Sequence, residues 1–182
     1  MLNILFYSII ILFLGQFSPG LPKWFSRKIV HLGFGLILLS VDFNIAYLRY
    51  MVYLVSGSIF IILHKVPLFR FSEKKDIGII NYILVTSFCV YNKIPLKYIS
   101  VLYFSDPSGA IVGRLYGKNK IKYTNKSLEG SLAVFSTSLF LLYGTLGYKI
   151  FNAFMITLIE LYSGKLDNII IGFYLILLYY LN

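Results

Sequence analysis

Charged residues and cysteine are both scarce in this chain, and each shortage excludes a class of protein. Only 13% of the 182 residues are charged, whereas 58% are hydrophobic and the mean hydropathy is +0.78. Soluble domains carry about 25% charged residues, so the composition predicts an integral membrane protein. Cys89 is the only cysteine and lies in an apolar run. Neither a disulfide framework nor a cysteine-based zinc site is therefore expected.

Acidic residues are especially few. Seven Asp and Glu stand against seventeen Lys and Arg, and the formal net charge is +10. Such a charge is typical either of a nucleic-acid-binding surface or of a membrane protein with basic cytoplasmic loops. The cations fall in loops between apolar runs rather than on one polar face. This distribution favours the membrane protein, with no nucleic-acid partner.

The apolar runs follow one another at intervals of about twenty residues, which suits short spans. They predict an all-α integral membrane protein, a polytopic bundle of seven or eight short transmembrane helices forming a single domain over residues 1–182. The N-terminal run has no basic residue before it and no small-residue cleavage pattern, so it is expected to be a span rather than a cleaved signal peptide. The predicted spans cover residues 2–17, 28–41, 45–63, 77–91, 95–112, 128–147, 150–161 and 168–181.

The cations also predict an orientation in the membrane. Thirteen of the seventeen lie in the odd-numbered loops between the predicted spans. The positive-inside rule places these loops in the cytoplasm and both termini outside. The expected location is the cell membrane of a prokaryote or an ER-type membrane of a eukaryote, with the active site facing the cytoplasm. The most basic loop contains Arg114, Lys118, Lys120, Lys122 and Lys126.

The stretch before this basic loop combines an acid, a proline and regularly spaced glycines. Asp106 precedes Pro107, and a residue before proline avoids the α region, so the span is predicted to break there with Asp106 as the N-cap of a new helix. Gly109, Gly113 and Gly117 recur at four-residue spacing on one face. This spacing suits either close helix packing or the close approach of a phosphate. It is not a Walker A loop, because Gly-Lys-Ser/Thr is absent at the required spacing.

Four of the seven acids lie in or beside apolar runs, where an ionised carboxylate costs about 2.5–3.5 kcal/mol at mid-bilayer. They are Asp106, Glu129, Glu160 and Asp167. Helix capping or a hydrogen bond between helices would account for each acid alone. If all four face one cytoplasmic cavity, the natural partners are nearby lysines and Mg²⁺. Lys126, three residues before Glu129, is predicted to share a helix face with it if the helix begins by Lys126, and Ser127 can cap that helix.

Smaller signals complete the set of candidates. The second span begins with Arg27, Lys28 and His31. Snorkelling of the side chains to the membrane surface explains the two cations. His31 lies one turn inside the apolar run and could act as a base. The loop Leu68–Asp76 is expected simply to be solvated. Ser163 and Gly164 are predicted to end one helix, and Asp167 or Asn168 to cap the next.

Four blocks carry a family resemblance, in order, between about residues 26 and 172. They read Arg27-Lys28-x-x-His31, Asp106-x-x-Gly-Ala-x-x-Gly-x-x-x-Gly-Lys118, Lys126-Ser-Leu-Glu129-Gly-Ser-Leu-Ala133, and Glu160 followed by Asp167-Asn168. In these blocks the chain resembles the dolichol kinase, phytol kinase and CTP-dependent diacylglycerol kinase family. Ser127 stands where the family commonly has threonine, and the proline often found after the last block is absent.

The resemblance implies a membrane kinase that uses Mg²⁺ and moves the γ-phosphoryl group of CTP to the hydroxyl of a membrane lipid alcohol, namely diacylglycerol, dolichol or another polyprenol, or phytol. It also implies residue roles. Catalytic residues would be Asp106, Lys126, Glu129 and His31; metal ligands would be Asp106, Glu129, Glu160 and Asp167; and nucleotide contacts would be Arg27, Lys28, Gly109, Gly113, Arg114, Gly117, Lys118, Lys120, Lys126 and Asn168.

Two other functions fit parts of the same pattern. A phosphatidate cytidylyltransferase-like enzyme would also use CTP and a lipid, but it would release pyrophosphate and leave CMP on the lipid. A small membrane transporter or packing subunit would use its buried acids to line an ion path. The destination of the γ-phosphate distinguishes the two enzymes, and stabilisation by CTP distinguishes both from a transporter.

Overall fold

The computed structural model describes residues 2–17, 20–65, 69–70 and 76–181, and within these ranges the architecture is all-helical. The α-helices in these ranges are α1 Leu2–Phe17, α2 Lys23–Ser40, α3 Ala46–Lys65, α4 Ile77–Tyr91, α5 Ser100–Leu115, α6 Leu128–Leu141, α7 Leu146–Tyr162 and α8 Asp167–Leu181. Two short 3-10 helices, Leu96–Ile99 and Gly164–Leu166, precede α5 and α8. Within these ranges the all-α prediction is confirmed, and each predicted span overlaps one α-helix. The predicted span 128–147 is too long, because α6 ends at Leu141 and α7 begins at Leu146.

Helix length and hydropathy together identify one stretch that could cross a membrane. Within the described ranges only Gly164–Leu181 is long and apolar enough, with a mean hydropathy of 1.3 over 18 residues. Shorter apolar helices cover Phe6–Phe17, Ala46–Ile62, Ile77–Tyr91 and Leu128–Leu141. A membrane location for the whole chain therefore stays a prediction.

The chain divides into two compact units, Met1–Leu96 and Lys97–Asn182. In the first unit α1 packs against α2, and α3 packs against α4. In the second unit each helix from α5 to α8 packs against the next, and α8 also contacts α5. Because successive helices of the second unit pack together and are joined by short connections, they run antiparallel. The α5–α6 and α7–α8 connections consequently lie at the same end of the second unit.

Helix α5 continues through Pro107 without a break, so the prediction that Asp106 caps a new helix is wrong. Pro107 lies inside the helix and is buried, and Asp106 occupies a mid-helix position. Proline removes one backbone donor from the helix. In the same turn the Ser108 hydroxyl donates to the Ser105 carbonyl at 2.8 Å. Packing of α5 against α6 and α8 overrides the local preference for a helix end.

The glycines of α5 serve the contact with α6. A Cβ added at Gly130 would lie 2.9 Å from the Gly109 carbonyl oxygen and 3.1 Å from the Gly113 Cα, so the two backbones nearly touch. This is the close helix packing that small residues at four-residue spacing permit. Gly117 does not extend the row, because α5 ends at Leu115 and Gly117 lies against the side chain of Ser127.

Candidate functional site

The basic loop between α5 and α6 forms a tight hairpin. The Leu128 amide donates to the Asn119 carbonyl at 2.8 Å, and the Ile121 amide donates to the Lys126 carbonyl at 3.1 Å. At the tip, Tyr123 adopts a φ of 62°. The hairpin exposes the side chains of Lys118, Lys120 and Lys122, and α5 exposes Arg114 just before it. Three cations predicted to contact nucleotide, namely Arg114, Lys118 and Lys120, are thus presented on this compact segment or at its start.

Lys126 is the last residue of this hairpin rather than part of α6. Ser127 is the N-cap of α6, as its hydroxyl accepts from the Gly130 amide at 3.2 Å. The capping role of Ser127 is confirmed, but the predicted pairing of Lys126 with Glu129 along one helix face is wrong. The helix starts too late to include Lys126, and its side chain points to α7 instead.

The Lys126 ammonium group joins the ends of α7 and α8. Its Nζ donates to the Glu160 carbonyl oxygen at 2.5 Å and also to Glu160 Oε1, and it lies 3.7 Å from Asp167 Oδ2. The side chains of Glu160 and Asp167 are only 7% and 15% exposed, and that of Lys126 is 28% exposed. No short-range sequence pattern indicates this cluster, because Lys126 and Glu160 are 34 positions apart.

Two further residues of the predicted site belong to this cluster. Asp106, in the middle of α5, lies close enough to Glu160 for the two charges to interact, as does Asp167. Asn168 follows Asp167 in α8 and is buried, and its Oδ1 accepts no hydrogen bond from the described part of the chain. We call Asp106, Lys126, Glu160, Asp167 and Asn168 the Lys126 cluster. Carbonyl and carboxylate oxygens dominate it.

Glu129 contacts the hairpin through Asn119. Its carboxylate accepts from the Asn119 amide at 3.1 Å and from Asn119 Nδ2 at 2.8 Å. These bonds tie the first turn of α6 to the hairpin. No short-range pattern indicates this role, because Asn119 lies between two lysines in the loop and is ten positions from Glu129.

Loss of the Glu129 carboxylate is expected to loosen the hairpin. Glu129→Ala removes both acceptors for Asn119, so trypsin should cleave at the exposed lysines of the hairpin faster than in the wild type. Glu129→Gln keeps one acceptor oxygen and should give an intermediate rate. Limited trypsinolysis followed by mass spectrometry measures this. Equal cleavage of all three proteins would show that Glu129 does not hold the hairpin.

The Lys126 cluster has the donor chemistry that Mg²⁺ requires. Among the described residues no group of three or more His, Cys, Asp or Glu side chains is arranged to hold a metal ion. A nucleotide-bound Mg²⁺, however, commonly takes only one or two carboxylates and completes its shell with phosphate oxygens and water. Asp167 with Glu160 or Asp106 would supply these carboxylates, and Asn168 Oδ1, which accepts no hydrogen bond from the described residues, would be a further oxygen ligand.

Arg27, predicted to contact nucleotide, has a structural partner in the first unit. Its Nη2 lies 2.6 Å from Asp76 Oδ1, and Asp76 also accepts from the Ile79 amide at 3.2 Å as the N-cap of α4. Asp76 is only 4% exposed, so the prediction of a solvated loop is wrong at this residue. An acid directly before an apolar helix is a capping signal that could have identified it. Leu68 and residues 71–75 of that loop lie outside the described residues.

Removing the Arg27 charge is expected to destabilise the protein in the absence of any ligand. Arg27→Met would leave the buried Asp76 carboxylate without this cation, at a cost on the order of 3 kcal/mol. The melting temperature should fall by roughly 5–10 °C. Arg27→Met combined with Asp76→Asn should recover part of the loss, and Lys23→Met, at an exposed position of the same helix, should change little. An unchanged melting temperature in Arg27→Met would contradict a structural role.

His31 lies on the same helix and packs against an aromatic ring of α4. The ring centroids of His31 and Tyr82 are 4.5 Å apart at an interplanar angle of 82°, an edge-to-face contact. Lys28 is half-buried one turn before it. The roles predicted for His31 as a proton acceptor and for Lys28 as a nucleotide contact stay predictions.

Comparison of the chain with protein-family models, curated proteins and solved structures found no match. The function is therefore argued from the Lys126 cluster, the basic hairpin and the motifs of the sequence.

Proposed function

We propose that this protein is a CTP-dependent lipid kinase of the membrane, which transfers the γ-phosphoryl group of CTP to the hydroxyl of a lipid alcohol such as diacylglycerol, a polyprenol or phytol. The observation that carries the proposal is the Lys126 cluster. A lysine at the end of a basic hairpin contacts Glu160 of α7 and lies 3.7 Å from Asp167 of α8, and Asp106 of α5 lies close enough to Glu160 for the two charges to interact. The sequence motifs that resemble the lipid kinase family contribute these same side chains.

Phosphoryl transfer depends mainly on positioning and on stabilising charge, and the cluster is suited to both. Lys126, together with Lys118, Lys120 and Arg114, would neutralise the charge that develops on the phosphates. Asp167 with Glu160 or Asp106 would hold Mg²⁺, which when bound neutralises charge on the β- and γ-phosphates. A remaining carboxylate of the cluster would accept the proton of the lipid hydroxyl.

The outer surface of the helices supports a membrane location. On α8, Phe173, Leu177 and Leu181 follow at four-residue spacing and are 53%, 54% and 73% exposed. A row of large apolar side chains on the outward face is unfavourable in water and favourable in lipid. At the end of the second unit away from the hairpin, Lys97 lies 5.3 Å and 5.6 Å from the ring centroids of Tyr98 and Tyr143. Tyrosine and lysine side chains of this kind suit the headgroup layer.

The decisive experiment follows the γ-phosphate. Purified protein in lipid nanodiscs containing a candidate alcohol would be incubated with Mg²⁺ and CTP labelled at the γ-phosphate. We expect label in the lipid, and loss of this transfer in Asp106→Ala and Lys126→Ala. Full activity of both variants would remove the proposal. Label released as pyrophosphate would indicate the cytidylyltransferase instead, and the absence of both products and of any CTP-induced stabilisation would favour a transporter.

A further inference from the structure

The contacts of Lys126 suggest a second role for this residue besides phosphate binding. We infer that Lys126 is an exchangeable counter-ion: it neutralises Glu160 and Asp167 while the site holds no nucleotide, and it gives these carboxylates up to a divalent cation when its ammonium group moves to the phosphates. The inference rests on the proposed function for the identity of the nucleotide. The exchange itself is a property of this chain's own side chains.

The geometry shows an ammonium group that is held unequally by its partners. Both of the short contacts of Lys126 are to Glu160, whereas Asp167 Oδ2 is 3.7 Å away, beyond hydrogen-bond distance. The backbone around Lys126 is fixed by the hairpin and by the Ser127 cap. The lysine side chain is a flexible four-carbon stem, so the ammonium group can move several ångströms without any change in the helices.

Burial makes some cation necessary at this position. The Glu160 and Asp167 side chains are 7% and 15% exposed, and a buried carboxylate without a partner is strongly unfavourable. The Lys126 side chain is more exposed than either carboxylate, so it enters the cluster from the side that faces solvent. If Lys126 is to contact a phosphate, another cation must replace it beside the acids. A divalent cation is suited to this, because carboxylate oxygens are among its preferred ligands.

A buried amide oxygen next to these acids is also consistent with a second cation. Asn168 is 6% exposed, and its Oδ1 accepts no hydrogen bond from the residues that the structure describes. An amide oxygen can coordinate Mg²⁺ or Mn²⁺. A lysine that does not hydrogen-bond to this oxygen leaves it without stabilisation. The carboxylate of Asp167 belongs to the same turn of α8, since its Oδ1 accepts from the Asn168 backbone amide at 2.7 Å.

The test measures divalent-cation binding without nucleotide, so it does not depend on kinase activity. Mn²⁺ alone would be titrated into the purified protein and followed by electron paramagnetic resonance. If Lys126 competes with the metal, Lys126→Met should bind Mn²⁺ roughly tenfold more tightly than the wild type. The matched control Lys122→Met removes an exposed lysine of the same hairpin and should bind like the wild type. Equal or weaker binding by Lys126→Met would overturn the inference.

Thermal stability gives a second readout on the same proteins. Without metal, Lys126→Met should melt roughly 5 °C or more below the wild type, and Mg²⁺ should restore most of this difference. Adding Glu160→Gln to Lys126→Met removes one stranded charge, so the double variant should recover stability and respond less to Mg²⁺. A double variant that responds to Mg²⁺ as strongly as Lys126→Met would also overturn the inference.

A second variant, Lys126→Gln, covers the case in which Lys126→Met does not fold. If Lys126→Met does not fold, Lys126→Gln retains a donor for the Glu160 carbonyl and is titrated with Mn²⁺ in its place, with the same expected and contrary results.

The inference and the proposed function can also fail separately. Transfer of phosphate to lipid by a wild type whose variants show no metal exchange would overturn only the counter-ion role. Metal exchange in a protein that never phosphorylates lipid would overturn only the kinase.

Discussion

Asp167→Asn is expected to reduce CTP-dependent phosphorylation of a lipid alcohol by at least about a hundredfold. The substitution keeps the shape of the side chain but removes the charge that faces Lys126 at 3.7 Å. The shorter contacts of Lys126, both with Glu160, remain, so the fold should be retained. The proposed Mg²⁺ site loses a carboxylate, and the Mg²⁺ concentration needed for half-maximal activity should rise. Initial rates measured over a range of Mg²⁺ concentrations test both effects.

The matched control for this variant is Asp42→Asn in the first unit. Asp42 accepts from the Asn44 amide at 3.0 Å in the connection between α2 and α3, and an asparagine oxygen can accept the same bond. Its activity and Mg²⁺ dependence should equal those of the wild type. If Asp167→Asn keeps its rate within about threefold of the wild type at every Mg²⁺ concentration, Asp167 does not act in the reaction.

Gly130→Ala is expected to destabilise the second unit by about 1–3 kcal/mol. The added methyl group would lie 2.9 Å from the Gly109 carbonyl oxygen and 3.1 Å from the Gly113 Cα. Both neighbours are backbone atoms, so α5 and α6 must move apart. This cost outweighs the roughly 1 kcal/mol that alanine gains over glycine in helix propensity. The melting temperature should fall by roughly 2–10 °C, measured by thermal unfolding in detergent.

Gly147→Ala is the matched control for Gly130→Ala. Gly147 lies in the first turn of α7, and a Cβ built on it meets no atom within 4 Å. The same chemical change should leave the melting temperature unchanged or raise it slightly, because only helix propensity is affected. A Gly130→Ala protein as stable as Gly147→Ala would mean that α5 and α6 do not pack as closely as their backbones indicate.

Local signals in the sequence were sufficient for the helices and several of their ends. Apolar runs separated by polar connections predicted every helix, because the length and hydropathy of a run are properties of consecutive residues. Ser127 caps α6 as predicted, and α7 ends at Tyr162, followed by Ser163 and by Gly164 at a φ of 59°. Caps depend on bonds between residues three or four positions apart, so a single sequence can reveal them.

The partners of the charged side chains were decided only by the tertiary structure. Lys126 was expected beside Glu129 but contacts Glu160, 34 positions away, and Arg27 pairs with Asp76, 49 positions away. Pro107 lies within α5 although its local preference favours a break. The sequence by itself determined an apolar, helical chain with several of its acids near helix ends, since these follow from neighbouring residues. Packing of separate helices selected which acids meet which cations, because it brings together residues that no short-range pattern relates.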